Sequence, residues 1–210
     1  IFAHLAASSG NKAALEWIEK YAAYLLRVID NEGRTIAHEA ALAQPTEALE
    51  WIKKNTPDLL EAKSKSSRTI AHYAAQSETT AALEWIKNQE PHLLQVNDNH
   101  GQTIAHDAAY FGNKKALNWF QNHAPNLLEV KSSWGRTIAH SAAYSGNMEA
   151  IEWIKNHMPH LLKVRDNEGL NIAHFAAHAK NATLFNSTLS LINSSEQFTI
   201  VKSSYLDIHR

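Results

Sequence analysis

Six histidines stand at positions 4, 38, 72, 106, 140 and 174, a constant step of 34 residues. Imidazoles bind metals and carry protons near neutral pH, so a regular series of them raises two chemistries, a metal site and acid–base catalysis. Spacing decides against the first. Stacked helix pairs lie about 8–10 Å apart, whereas two ligands of one zinc must each lie about 2 Å from it. His157 and His160 are three apart, but Pro159 separates them and no third ligand accompanies them. Catalysis lacks its partners too: there is no nucleophile motif, no phosphate-cradling glycine loop and no His-Glu zinc motif. Cysteine is absent, which removes thiol nucleophiles, Cys-based zinc sites and disulfides. The expectation is a chain that is not an enzyme, with no catalytic residue, no metal and no cofactor.

The elements that carry these histidines repeat with them. Thr35-Ile36-Ala37-His38 returns at 69–72, 103–106 and 137–140, with Asn171-Ile172-Ala173-His174 as a near copy and Ile1-Phe2-Ala3-His4 at the start. A fixed period of this length marks a stacked-repeat architecture. In the unit 137–170, Thr137 reads as a helix N-cap, and Ala139, Ala142 and Ala143 favour a helix that lets a neighbour approach closely. Gly146 stops this first helix, and Asn147 caps a second one from Met148 to about His157. Ala150, Ile151, Trp153 and Ile154 share one side of it. Pro159 ends that helix, Leu161-Leu162 form a further covering turn, and Asp166-Asn167-Glu168-Gly169 is a tight turn. No unit can bury its own apolar face, so stability must come from unit-to-unit contacts. Trp17, Trp51, Trp85, Trp119 and Trp153 stand in register and are expected to form a core column.

The units expected are 1–34, 35–68, 69–102, 103–136, 137–170 and a capping unit 171–193, followed by a tail or cap extension, 194–210. The sixth has Ser187 where the others have Trp and a Ser- and Asn-rich second helix, as suits a unit with one face in water. The tips alternate with a 68-residue period, Asp30-Asn31-Glu32-Gly33 and its copies at 98 and 166 against Ser64-Lys65-Ser66-Ser67 and Ser132-Ser133-Trp134-Gly135. Duplication of a two-unit block accounts for this; a partner touching every second tip is the functional alternative.

The formal net charge of −1 offers no field to attract nucleic acid or an anionic membrane. No apolar run reaches the length of a membrane span, and no signal peptide opens the chain. It begins inside a repeat without an initiator Met, so a targeting signal could lie upstream. A monomer in the cytoplasm is expected. Three Asn-x-Ser/Thr triplets (from Asn181, Asn186 and Asn193) read as chance matches to the glycosylation acceptor.

The pattern Asp-x-x-Gly-x-Thr-x-x-His-x-Ala-Ala-x-x-Gly, fullest at 98–112 (Asp98, Gly101, Thr103, His106, Ala108, Ala109, Gly112), resembles the ankyrin repeat. The resemblance runs from residue 1 to about 193. It departs from the family in having Ile-Ala between Thr and His, where Pro-Leu is usual, and 34 rather than 33 residues per unit. In style it resembles ankyrin proteins of intracellular bacteria such as Legionella, several of which are effectors in host cells. The resemblance implies an all-α solenoid of helix-turn-helix units with projecting β-type turns. It gives His38, His72, His106 and His140 a structural role, bonding each cap to the adjacent turn. It implies a protein partner on the concave face formed by first helices and tips. The positions that vary there include Tyr73, Asp107, Tyr110, Phe111, Trp134, Tyr144 and Phe175, which are the candidate partner-binding residues. The function implied is a non-catalytic protein-binding module, in one reading a bacterial effector engaging a host protein. The alternative is the substrate-recognition arm of an enzyme whose catalytic domain lies outside the chain.

Overall fold

In a computed structural model, which describes residues 2–44, 46–179 and 181–190, the threonine of each unit starts a short helix and a histidine completes its cap. Thr35 is extended (φ −102°, ψ 175°), and the Nδ1 atom of His38, three residues on, accepts the Thr35 N–H at 3.0 Å. This is a capping box with imidazole in the place of Glu or Gln. Thr69, Thr103, Thr137 and Asn171 repeat it with His72, His106, His140 and His174. Pro45, the tail 194–210 and the triplet at Asn193 lie outside the described residues.

The helices alternate in two layers. The first layer is α1 (Phe2–Ser8), α3 (Ile36–Leu42), α5 (Ile70–Ala74), α7 (Ile104–Tyr110), α9 (Ile138–Tyr144) and α11 (Ile172–His178). The second is α2 (Lys12–Ala22), α4 (Glu47–Asn55), α6 (Ala81–Gln89), α8 (Lys114–His123), α10 (Met148–His157) and α12 (Ala182–Leu189). Each of α2 to α10 in the second layer is followed by a 3₁₀ turn, and four of these five begin at proline, for example Pro57–Glu61 and Pro159–Lys163. The leucine pairs of those turns, Leu59-Leu60 and Leu161-Leu162, are buried. Among the described residues there is no strand and no helix long and apolar enough to cross a membrane. The architecture is an all-α repeat solenoid.

The layers differ in side-chain size. Alanines such as Ala37, Ala40 and Ala41 separate first helices, whereas Leu49, Trp51 and Ile52 separate second helices. First helices accordingly pack closer to one another than second helices do. Four second helices start at an asparagine whose side-chain oxygen caps them: Asn11, Asn113, Asn147 and Asn181. The amide of Asn113 also donates back to Ala75 O and Ser77 O, at 2.9 and 2.6 Å, tying two units together. Asn181, the first of the three acceptor triplets, is engaged likewise with Leu184 N and Gly146 O.

The tips form a backbone ladder. The second residue of each tip donates its N–H to the third residue of the tip before: Lys65 to Glu32, Asn99 to Ser66, Ser133 to His100 and Asn167 to Trp134, all at 2.9–3.0 Å. The 68-residue alternation has a use within the stack. Asp98 and Asp166 each accept two backbone N–H groups of their own tip. They also face the arginine of the preceding serine-type tip, Arg68 at 3.6 Å and Arg136 at 3.2 Å. Burial would raise the Asp166 carboxyl, but the Leu170 N–H and Arg136 outweigh it and hold it below the ordinary range. The fourth tip position needs a positive φ. Glycine supplies it at 33, 101, 135 and 169, but Ser67 adopts φ 61°. A side chain in that region costs on the order of 1 kcal/mol. Ser67→Gly is therefore expected to stabilise the chain by about 0.5–1 kcal/mol, read as a higher urea midpoint at unchanged m-value.

Candidate partner-binding face

The residue three positions beyond each histidine's neighbour lies at or just after the end of the first helix. This column reads Ser8, Leu42, Gln76, Tyr110, Tyr144 and His178. Its last three members are exposed and lie edge to edge across three units. The Tyr110 and Tyr144 rings are 6.4 Å apart, and His178 stacks on Tyr144 at 4.9 Å with an interplanar angle of 16°. Phe111, half exposed, extends the row by an edge contact with Tyr110 at 5.1 Å. On the tips above, Trp134 stacks on His100 at 4.5 Å. The Arg136 guanidinium sits 5.0 Å from the Trp134 ring and 4.7 Å from that of Phe175. Aromatic rings held by stacking lose little freedom on binding and present flat apolar area with polar edges.

Three candidates do not belong to this surface. Tyr73, Asp107 and Phe175 are buried. Each directly follows a capping histidine, and that position faces the preceding unit instead of solvent. Tyr73 meets the His38 ring edge-on at 5.1 Å, and Phe175 meets His140 the same way at 5.2 Å. Burial raises the Tyr73 hydroxyl pKa. Asp107 accepts from Arg68 at 2.9 Å, with its second oxygen unbonded. Burial outweighs that arginine, and the repulsion of Asp98 adds to it, so the Asp107 carboxyl rises to about 7. The sequence variation directly after the histidine thus tunes contacts between units. Tyr110, Phe111, Trp134 and Tyr144 are the candidates that reach solvent. The signal for His178 was its place in the same column.

The histidine series lies beneath this face. In His38, His72, His106 and His140 Nδ1 accepts the cap N–H, so Nε2 carries the proton and donates to a carbonyl of the next tip; the Nε2 of His4, whose Nδ1 is unbonded, makes the same contact. The acceptors are Arg34 O for His4, Arg68 O for His38, Gln102 O for His72, Arg136 O for His106 and Leu170 O for His140, at 3.1–3.5 Å. Burial lowers the pKa of His38 and His106, and that of His72 and His140 to about 4. These rings are neutral at pH 7 and each ring is committed on both nitrogens, so they join neighbouring units and offer no acid or base to a substrate.

On the opposite ridge, Glu61, Glu90 and His92 place possible metal-ligand atoms within 4.8 Å of one another. A ladder of cross-unit pairs accounts for them. Arg27 pairs with Asp58 at 2.6 Å, Glu61 with His92 at 2.8 Å and Glu129 with His160 at 3.0 Å, the last with Met158 at the Glu90 position. Lys53 lies 3.4 Å from Glu90. His157 points elsewhere, to Trp153 O at 2.8 Å, so it shares no site with His160.

The family model for ankyrin repeats, in three copies, matches residues 106–193. No curated protein matches the chain. Ankyrin repeats are in general protein–protein interaction modules. Residues 106–193 are thus ankyrin repeats, and the caps, tip ladder and histidine bonds of that stretch recur in the two units before it, 35–68 and 69–102.

Proposed function

We propose that this chain is a non-catalytic, monomeric binding module that holds a partner protein against the first helices and tips of the units between 103 and 190. The observation that supports this most is the continuous exposed row Phe111, Tyr110, Tyr144 and His178, with Trp134 above it. The stack is closed without these side chains: the same positions in earlier units carry Ser8, Leu42 and Gln76. Exposed aromatics that the fold does not require are the usual anchors of an interface. Specificity lives in such a site and not in the scaffold, so the same face serves a free-standing module, an effector engaging a host protein, or a recognition arm.

Combined replacement of Tyr110, Trp134 and Tyr144 by alanine is expected to lower partner recovery in affinity capture by about 10-fold or more, since anchors of this kind contribute about 2 kcal/mol each. Helical signal should be unchanged and melting should stay within a few degrees. Lys155→Ala, on the second-helix side, should capture as the parent does. Equal recovery by the triple variant and the parent refutes the assignment.

A further inference from the structure

The unit that opens the chain leaves in solvent what every later unit buries. Phe2 is 77% exposed, while Ile36, Ile70, Ile104, Ile138 and Ile172, at the same position, are fully buried. Trp17 is 60% exposed, whereas Trp51, Trp85, Trp119 and Trp153 are 2–6% exposed. The tryptophans of the expected core column therefore include one that has no core around it. Tyr21 packs on Trp17 at 5.1 Å and is itself exposed.

For Trp85, Trp119 and Trp153 the cover comes from the unit before, in a fixed register, while Trp51 is buried without a ring-nitrogen bond to it. The ring nitrogen of Trp85 donates to Glu50, that of Trp119 to Glu84 and that of Trp153 to Asn118, at 2.5–2.6 Å and always 35 residues back. Glu152 holds the next acceptor position, but the residue it would serve is Ser187, so the tryptophan ladder stops there by side-chain chemistry. At Trp17 it does not stop: a full interior-type donor and its apolar surround are present. Asn31 likewise occupies the tip position whose N–H, in every later unit, bonds to a preceding tip.

We infer that the face carrying Phe2, Trp17 and Tyr21 is the seat of a further helix pair of this same 34-residue kind, stacked against α1 and α2. Its second helix places a carboxylate or amide side chain under the Trp17 ring nitrogen. The surface continues an interface that the chain already forms between successive units, with the tryptophan and a large apolar residue at the Phe2 position in the same register, and this continuity selects a repeat unit over another occupant. The inference is independent of the partner-binding face, which lies on other units.

The test adds a copy of residues 69–102 directly ahead of residue 1, which sets the Glu84 of the copy 35 positions before Trp17. Hydroxyl-radical oxidation of Trp17, read by mass spectrometry, should fall about five-fold or more, to the level of Trp51. The melting temperature should rise by about 5 °C or more, because repeat stability is approximately a sum of units and interfaces. Glu84→Ala within the copy should return part of both gains. A second fusion using residues 35–68, with Glu50 in the same place, guards against one copy failing to fold. If the added units gain no helical signal in either fusion, or fold and leave Trp17 as reactive as before, the inference fails. It fails equally if the 210-residue chain self-associates at sedimentation equilibrium with Trp17 protected, because a second copy would then be the occupant.

Discussion

Acidification from pH 6.5 to 5 is expected to destabilise the chain, with the buried histidines as the cause. His72 and His140 are buried with pKa values lowered by burial to about 4, against 6.5 when unfolded. The unfolded chain then binds more protons, so their contribution is complete above pH 6.5 and is lost as the pH falls toward 4. Between pH 6.5 and 5 two such groups account for about 3 kcal/mol, because each is already half protonated at pH 6.5 when unfolded, and the Asp107 carboxyl, raised to about 7 in the folded chain, offsets about 2 kcal/mol of this. His38 and His106 are shifted in the same direction and add to the loss. Domains of this size carry a total of about 5–15 kcal/mol, so a net loss of about 1–2 kcal/mol from these groups is measurable against the reserve. Protonation would also replace the Nδ1 acceptor by a donor aimed at the cap N–H, and the link between units would open at its centre. Urea unfolding at pH 7, 6 and 5 measures this. His72→Asn should be less stable at pH 7 by about 1–3 kcal/mol, the cost of unmade buried hydrogen bonds, yet shallower in pH dependence by about one proton. An unchanged slope in that variant would show that His72 does not drive the acid loss.

The same residues show how much of the molecule was legible. The period, the helix limits in the unit 137–170, the proline stops and the cap threonines follow from local rules, which act within about four residues and are written in the chain. The histidine cap was legible only by resemblance, because no local rule sends Nε2 to a carbonyl 30 residues away. The partner face was half legible. Tyr110 and Tyr144 lie at helix ends and reach solvent, but Tyr73 and Phe175 look equally variable and are buried. Which side of a seven-residue helix meets the preceding unit depends on the rotation between units, and a sequence period carries no such angle. Trp17 shows the converse: a perfect match to the core column is exposed because burial belongs to the pair of units and not to the residue.

Asp107→Asn is expected to stabilise the chain by about 2–3 kcal/mol more at pH 8 than at pH 5, the opposite pH dependence to the histidines. Its folded pKa of about 7 lies above the unfolded 3.8, with burial as the first cause and only Arg68 opposing it. Such a group contributes stability that is present below pH 3.8 and is lost as the pH rises to 7. The 2 units between pH 5 and 7 correspond to about 2.7 kcal/mol. The variant keeps an oxygen for Arg68, and an amide replaces the unbonded second oxygen beside the repelling carboxylate of Asp98. Its neutral side chain removes the titration. Between pH 5 and 6.5 the single proton that Asp107 holds in the folded state cancels the slope of one histidine, so the variant should also lose stability faster than the parent as the pH falls. Parallel unfolding profiles for the two proteins would mean that Arg68 outweighs burial and that Asp107 is ionised throughout. Profiles that diverge with rising pH, with the variant ahead at pH 8, assign to one buried carboxylate the brake on an otherwise histidine-driven acid response.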